Sequence, residues 1–262
     1  LDQLEYIKAL KPIVDKTLLS AAVDSKVSEN VYVLYRSLLG AVAYGTLTRP
    51  DVAVFVVAAQ RIGSNDKCTV AHVRALNKLV RYMQREPKTI RYDHLPRSKI
   101  VVFSDSAFKK EEDTGHALKG SVTLRVELSP LVPGTFRCHL LDCCCKRVRH
   151  VTRSTFSAEL FALCDAIDHA ILLMQILTEI ETGSLGDGAA RAMREHGGYG
   201  LPLTVIVDAM SVYAAITAQH IKTPAEQSLL GHLQFVRELL DKGVVNELGW
   251  SDTRDMVADG LT

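Results

Sequence analysis

The sequence carries almost no net charge. Its 31 Lys and Arg nearly balance 30 Asp and Glu, so the total charge neither requires nor excludes a nucleic-acid partner. No uninterrupted apolar run approaches the roughly eighteen residues of a membrane span, and we expect no membrane partner. The N-terminal stretch LDQLEYIKAL lacks the basic start and apolar core of a signal peptide. It also lacks an initiator Met, and we expect the chain to be part of a longer polypeptide.

Cysteine is scarce outside one cluster. Three of the six cysteines are consecutive, in LDCCCKRV. Neighbouring residues of a strand point to opposite faces, so this run cannot form a four-ligand zinc site by itself. We expect small buried thiols in a reducing, intracellular compartment.

The element pattern changes near residue 96. Residues 1–95 predict mostly helices, and EPKTIRYDHLPRSK, with two prolines and no apolar periodicity, predicts a domain boundary. Residues 96–262 predict three strands with a turn around Pro130–Gly134, a long helix and then alternating strands and helices. We interpret GSLGDGAARAMREHGGYG as a mobile insertion and TRDMVADGLT as the start of a final helix. The order predicts an α/β domain with a mixed sheet covered on both faces.

Basic residues are concentrated between Arg61 and Lys99, where ten Lys or Arg stand against three acids. The segment TVAHVRALNKLVRYMQRE predicts an amphipathic helix with Val73, Leu76, Val80 and Met83 on its apolar side. Its second stripe is cationic, formed by Arg74, Lys78, Arg81 and Arg85. This stripe fits either a solvated face or contact with a phosphate backbone.

Two apolar strands end on an acid. Val101, Val102 and Phe103 lead to Asp105, and a second such run leads to Asp208. Asp105 alone fits a turn cap, a partner of a cation or a metal ligand, because an unpaired carboxylate is costly in a core. In an open α/β sheet, however, sites form outside the carboxyl ends of the strands. Two carboxylates placed there repel each other unless a cation lies between them.

Two further acids stand at comparable places on predicted helices. Glu159 lies near the start of the long helix beside its core stripe, and Asp259 lies between Val257 and Leu261. Carboxylate oxygens are hard ligands that suit Mg²⁺ or Mn²⁺. Three or four of them holding two divalent ions would suit in-line phosphodiester cleavage.

These motifs resemble the C-terminal part of the polyprotein of copia-type retrotransposons. YRSLLGAVAYGTLTRPDVA and AHVRALNKLVRYMQ look like the end of the reverse transcriptase region. FSDSAF, TGHALKGSVTL, STFSAELFAL, VDAMSVYAAI, FVRELLDKGVV and DTRDMVADGLT look like successive segments of the ribonuclease H that follows. The resemblance covers roughly residues 30 to 262, and its strength lies in the order and spacing of the motifs.

The resemblance implies a ribonuclease H-like five-stranded mixed sheet over residues 96–262, preceded by a helical reverse-transcriptase remnant over residues 1–95. It implies that Asp105, Glu159, Asp208 and Asp259 hold two Mg²⁺ or Mn²⁺ ions and catalyse hydrolysis of the RNA strand of RNA–DNA hybrids. The implied partners are the hybrid and the rest of the polyprotein, in the cytoplasm, the nucleus or virus-like particles. The chain has no adjacent Asp-Asp pair, so we expect no polymerase activity.

Two departures from the family keep alternatives open. Ala209-Met210 replaces the family's Asn-Gln after the third acid, and EQSLLGHLQ replaces its Lys-His-x-Asp stretch. One alternative is a catalytically inactive nucleic-acid-binding or scaffold remnant of a decayed element. A weaker one is an integrase core, although integrase cores lack the TRPD segment and the closing Ala-Asp-x-Leu motif.

Overall fold

The computed structural model describes residues 1–95, 97–108, 116–128, 135–149 and 151–262. It divides into two compact units, Leu1–Arg91 and Tyr92–Thr262. The assignment of the first unit to a reverse transcriptase stays a prediction. The predicted turn around Pro130–Gly134 lies outside the described residues.

The first unit is helical around its own apolar core. The predicted apolar side of the amphipathic helix is confirmed, because Val73, Leu76, Val80 and Met83 are all buried. The helix begins with a capping box, in which Thr69 and His72 satisfy each other's backbone amides. The α-helices of this unit are α1 (Leu4–Ala9), α2 (Thr17–Ser20), α3 (Glu29–Gly45), α4 (Ala53–Gln60) and α5 (Val70–Arg85).

The TRPD segment forms a buried ion pair in this unit. The fully buried guanidinium of Arg49 donates two hydrogen bonds of 2.9 Å to the Asp51 carboxylate and one of 3.1 Å to the Met83 carbonyl. Lys88 and the Tyr82 hydroxyl also contact Asp51. Burial opposes ionisation of Asp51, but Arg49 and Lys88 outweigh it and lower its pKa to about 2. Arg49 thus links the segment before α4 to the last turn of α5 by hydrogen bonds.

The second unit contains the predicted five-stranded mixed sheet, which is confirmed. Its order is β3-β2-β1-β4-β5. The first three strands are antiparallel neighbours, whereas β4 lies parallel to both β1 and β5. The strands are β1 (Ser98–Ala107), β2 (Leu118–Glu127), β3 (Cys138–Arg147), β4 (Leu203–Val207) and β5 (Glu247–Trp250).

Helices pack on both faces of this sheet. Ile100 and Val102 of β1 share one core with the long helix and with two shorter ones. The other face receives the short 3₁₀ helix Asp259–Leu261 against Gly120 of β2. The α-helices of this unit are α6 (Thr155–Thr182), α7 (Asp187–His196), α8 (Met210–Thr217) and α9 (Leu230–Asp241).

The helix α6 is long and apolar enough to cross a membrane by length and composition alone. Its most apolar window has a mean hydropathy of 1.7, although polar residues interrupt the apolar ones. Half of that window is buried, including Leu160, Leu163 and Ile167 against the sheet. This burial is typical of the core helix of a globular domain.

Two predicted elements are wrong. The predicted mobile insertion contains helix α7, whose Ala190 is buried and whose end is marked by Gly197 at φ 74°. The predicted final helix is replaced by two 3₁₀ turns, Thr253–Asp255 and Asp259–Leu261, and Val257 between them is exposed. Short 3₁₀ turns eclipse side chains three residues apart, which differs from the α-helical spacing that the apolar pattern indicated.

Candidate metal centre

Two of the predicted acids meet because their strands are parallel. Ser104 of β1 lies opposite Val207 of β4, so Asp105 and Asp208 follow at the same level. Asp208 directly follows β4, whereas β1 continues past Asp105 to Ala107, so the prediction that β1 ends on its acid is wrong by two residues. Both acids still stand near the carboxyl ends of adjacent parallel strands, where sites of open α/β sheets form.

The third acid comes from the start of α6. Ser154 caps the helix by accepting a hydrogen bond from the Ser157 amide at 3.1 Å, and Ser157 accepts one from the Ser154 amide at 3.1 Å. This capping box fixes where α6 begins, and Glu159 follows in the next turn. One ligand oxygen each from Asp105, Glu159 and Asp208 lies within 4.8 Å of the other two. We call these three acids the acid triad.

Asp259 does not belong to the acid triad, whose ligand oxygens all lie within 4.8 Å of one another. Its side chain is exposed, yet its charge contributes to raising the pKa of Asp105. The structure therefore brings three of the four predicted ligands together and places the fourth within electrostatic range.

The acid triad is electrostatically strained without a cation. Burial, together with the charges of Asp105 and Asp208, raises the pKa of Glu159 to about 8. Burial also raises the pKa of Asp105, against the hydrogen bond from Thr262, and the charges of Asp208 and Asp259 add to the increase. A divalent cation removes this conflict, and an all-carboxylate donor set fits Mg²⁺ or Mn²⁺. The residues present thus fit a hard divalent ion.

Hydroxyl groups that were not predicted hold two of these acids. The Thr262 hydroxyl donates to Asp105 Oδ2 at 2.5 Å, and the Thr253 hydroxyl donates to Asp208 Oδ2 at 2.9 Å. The Trp250 ring N–H also donates to the Asp208 carbonyl oxygen at 2.8 Å. Thr262 belongs to the closing motif of the resemblance, which was a usable signal. Nothing in the spacing indicated Thr253.

The predicted nucleic-acid stripe is exposed on α5. All four cations, Arg74, Lys78, Arg81 and Arg85, are exposed. The guanidinium of Arg74 donates to the Leu18 carbonyl at 2.7 Å. Lys78 and Arg85 line a cavity of about 720 Å³ whose walls include Phe55. Among the described residues, no carboxylate lies within ion-pair distance of Lys78, Arg81 or Arg85, so three of the four cations can bind an anion.

Solved ribonuclease H structures resemble this chain distantly. The N-terminal RNase H domain of Rv2228c from Mycobacterium tuberculosis, solved as a fusion with maltose-binding protein, is 15% identical, with a TM-score of 0.38. The match covers 63% of this chain and 91% of that one. LC11-RNase H1, solved with an RNA/DNA hybrid, is 15% identical, with a TM-score of 0.38 over 62% of this chain and 93% of that one.

RNase H1 from the halophilic archaeon Halobacterium salinarum NRC-1 is also 15% identical, with a TM-score of 0.36 over 62% of this chain and 93% of that one. No family model and no curated protein sequence matches the chain. Similarities this distant do not transfer the role of any residue.

Proposed function

We propose that the chain is a divalent-metal-dependent endonuclease that hydrolyses the RNA strand of RNA–DNA hybrids. The observation that carries this proposal is the convergence of Asp105, Glu159 and Asp208 within 4.8 Å at the carboxyl ends of two parallel strands. Structural carboxylates are normally dispersed or paired with cations, because close acids raise one another's pKa. Three acids brought together by two neighbouring strands and a helix therefore favour binding of cations.

The chain's own residues perform three tasks in this proposal. Asp105, Glu159 and Asp208, with Asp259 beside them, hold two Mg²⁺ or Mn²⁺ ions, which would activate a water and stabilise the leaving oxygen of a phosphodiester. Thr262 and Thr253 fix the carboxylates of Asp105 and Asp208 through their hydroxyl groups. Glu159 gives up its proton as cations bind, because its raised pKa keeps the metal-free group protonated near neutral pH.

The wider setting of the proposal is reverse transcription by a copia-type retrotransposon. The sequence motifs support this setting, with the first unit as a reverse-transcriptase remnant whose exposed cations Arg74, Lys78, Arg81 and Arg85 contact the nucleic acid. The rest of the polyprotein is then a partner, and the site of action is intracellular: the cytoplasm, the nucleus or a virus-like particle.

A panel of labelled substrates tests the proposed function. The purified chain should cleave the RNA strand of an RNA–DNA hybrid in Mg²⁺ and leave single-stranded RNA, double-stranded RNA and double-stranded DNA uncut. Hybrid binding without cleavage in either Mg²⁺ or Mn²⁺ would overturn the nuclease and favour the catalytically inactive binding remnant. Cleavage of double-stranded DNA instead of the hybrid would overturn the substrate assignment.

A further inference from the structure

The second unit contains a cavity that is not lined by the acid triad. It has a volume of about 760 Å³, and its walls come from the ends of β2 and β3, from α6 and from the start of α9. The cations Lys119, Lys146 and Arg149 line it, together with the ring of His232. We call this cavity the Lys119 groove.

The strand register brings like charges together in the Lys119 groove. Lys119 of β2 lies directly opposite Lys146 of β3, so the two side chains leave the same face of the sheet. Like charges directly opposite each other destabilise an antiparallel pair. Burial lowers the pKa of Lys119, and the charges of Lys146 and Arg149 lower it further, against an opposing effect of the Cys144 thiol. This cost indicates a role beyond the fold.

The acids of the Lys119 groove only partly offset its cations. Asp165 pairs with Lys119, and burial raises the pKa of Asp168 and so disfavours its charge. Lys146 and Arg149 are exposed, and no carboxylate in residues 1–95, 97–108, 116–128, 135–149 or 151–262 lies within ion-pair distance of either. The groove is therefore a positive pocket with two cations available to an anion.

His232 also lines the groove. Its Nδ1 is buried without a hydrogen-bond partner among the described atoms, and its ring packs edge-on against Phe161 at 5.0 Å between centroids. A buried ring nitrogen without a partner is costly; in its Nδ1–H tautomer the ring can donate to a phosphate oxygen or to bound water.

The position of the Lys119 groove indicates which anion it receives. β1 and β3 are both antiparallel to β2, so they run in the same direction, and Lys146 lies at the same end of the sheet as Asp105. Gly120, the neighbour of Lys119, is the residue directly opposite Asp105. Because neighbours in a strand point to opposite faces, Lys119 faces α6 while the Asp105 side chain leaves the other face. The groove thus lies at the same end of the sheet as Asp105, on the face covered by α6, the helix that also carries Glu159.

We propose that the Lys119 groove binds a phosphate of the sugar–phosphate backbone of a nucleic acid held at the acid triad. The inference rests on the proposed function. Lys119, already paired with Asp165, forms the floor, while Lys146 and Arg149 donate to the phosphate oxygens. Acids at the catalytic site repel a polyanion, and a phosphate anchored at the same end of the sheet holds it in place.

Salt dependence of hybrid binding tests this proposal. Affinity of the full chain is measured with chelator present, so that no cleavage occurs, for the parent and for Lys146→Ala with Arg149→Ala. The matched control removes two exposed cations elsewhere, with Arg97→Ala and Arg191→Ala. The slope of log affinity against log salt should fall by up to roughly 1.8 in the groove variant, at roughly 0.9 per lost contact, and stay unchanged in the control. An unchanged slope in the groove variant overturns the proposal.

A second arm separates a backbone phosphate from a free one. If inorganic phosphate raises the Tm of the parent but not of the groove variant, while the hybrid slope is unchanged, the groove belongs to a free phosphate and the backbone assignment is overturned. Hybrid cleavage by the parent is measured in parallel in Mg²⁺. If the parent cleaves the hybrid but the salt slope of the groove variant is unchanged, the proposal for the groove is rejected and the proposed nuclease function is supported. If the salt slope of the groove variant is reduced but the parent does not cleave, the nuclease function is rejected and binding of the backbone in the groove is supported.

Discussion

The Thr262 hydroxyl donates a hydrogen bond of 2.5 Å to Asp105 Oδ2, across a sequence separation of 157 residues. The contact forms because the C-terminal segment crosses β2 at Gly120. A Cβ atom at Gly120 would lie 2.8 Å from Thr262 Cγ2 and 2.9 Å from Leu261 Cβ. One glycine thus lets a distant segment reach the first acid of the candidate centre.

Gly120→Ala should weaken both the fold and the site. The new methyl group has no room, so the C-terminal segment must move and Thr262 must lose Asp105, at a cost of about 1–3 kcal/mol in the free energy of unfolding. Hybrid cleavage should fall more than hybrid binding. The matched control is Gly249→Ala, also in a strand, where the nearest atom is Ile206 Cγ1 at 3.7 Å. Equal cleavage by the two variants would show that the C-terminal segment does not position Asp105.

The Arg49–Asp51 pair predicts an asymmetry between its two partners. Asp51→Ala leaves a fully buried guanidinium without its carboxylate and should lower the free energy of unfolding by about 3–5 kcal/mol. Arg49→Met should cost less, because Asp51 is partly exposed and keeps Lys88. Chemical denaturation of the full chain measures both. A larger loss for Arg49→Met than for Asp51→Ala would contradict this assignment of the buried charge.

Glu159 predicts a pH dependence of stability in the metal-free protein. The pKa of an unfolded Glu is about 4.3, whereas burial raises the pKa of folded Glu159 to about 8. Between these values the folded chain binds more protons than the unfolded chain, so the free energy of unfolding should fall as pH rises through this window. Glu159→Gln cannot ionise and should lose much of this slope.

Denaturation in chelator across the window, for parent and Glu159→Gln, measures the effect. Adding Mg²⁺ should restore stability to the parent at the alkaline end, because a bound cation favours the ionised triad. Identical pH slopes in the two proteins would show that Glu159 does not titrate in this range.

The cationic stripe of α5 predicts a salt effect of its own. If Lys78 and Arg81 contact backbone phosphates, Lys78→Ala with Arg81→Ala should reduce the salt slope of hybrid binding by up to roughly 1.8. A suitable control is Lys11→Ala with Lys16→Ala, which removes the same charge from exposed positions of the same unit. Equal salt slopes of hybrid binding for the parent and the stripe variant would show that Lys78 and Arg81 do not contact the backbone and belong to a solvated face.

Local patterns predicted much of the fold and most of the candidate site. Asp105 and Asp208 stood out because each follows an apolar run, and Glu159 because it flanks the core stripe of a long helix. The helix Asp187–His196 was hidden because glycines surround its short run of good helix formers. The contact of Thr262 with Asp105 and the pairing of Lys119 with Lys146 could not be predicted, since both depend on long-range packing and strand register.

The most direct test of the account is cleavage of a labelled RNA–DNA hybrid by the parent and by Asp208→Asn, each with Mg²⁺ and with chelator. The substitution keeps the shape of the side chain and removes its charge. We expect Mg²⁺-dependent cleavage by the parent, a loss of several orders of magnitude in the variant, and hybrid binding that persists or tightens because an acid no longer repels phosphate. Cleavage by Asp208→Asn at the parental rate would contradict the account.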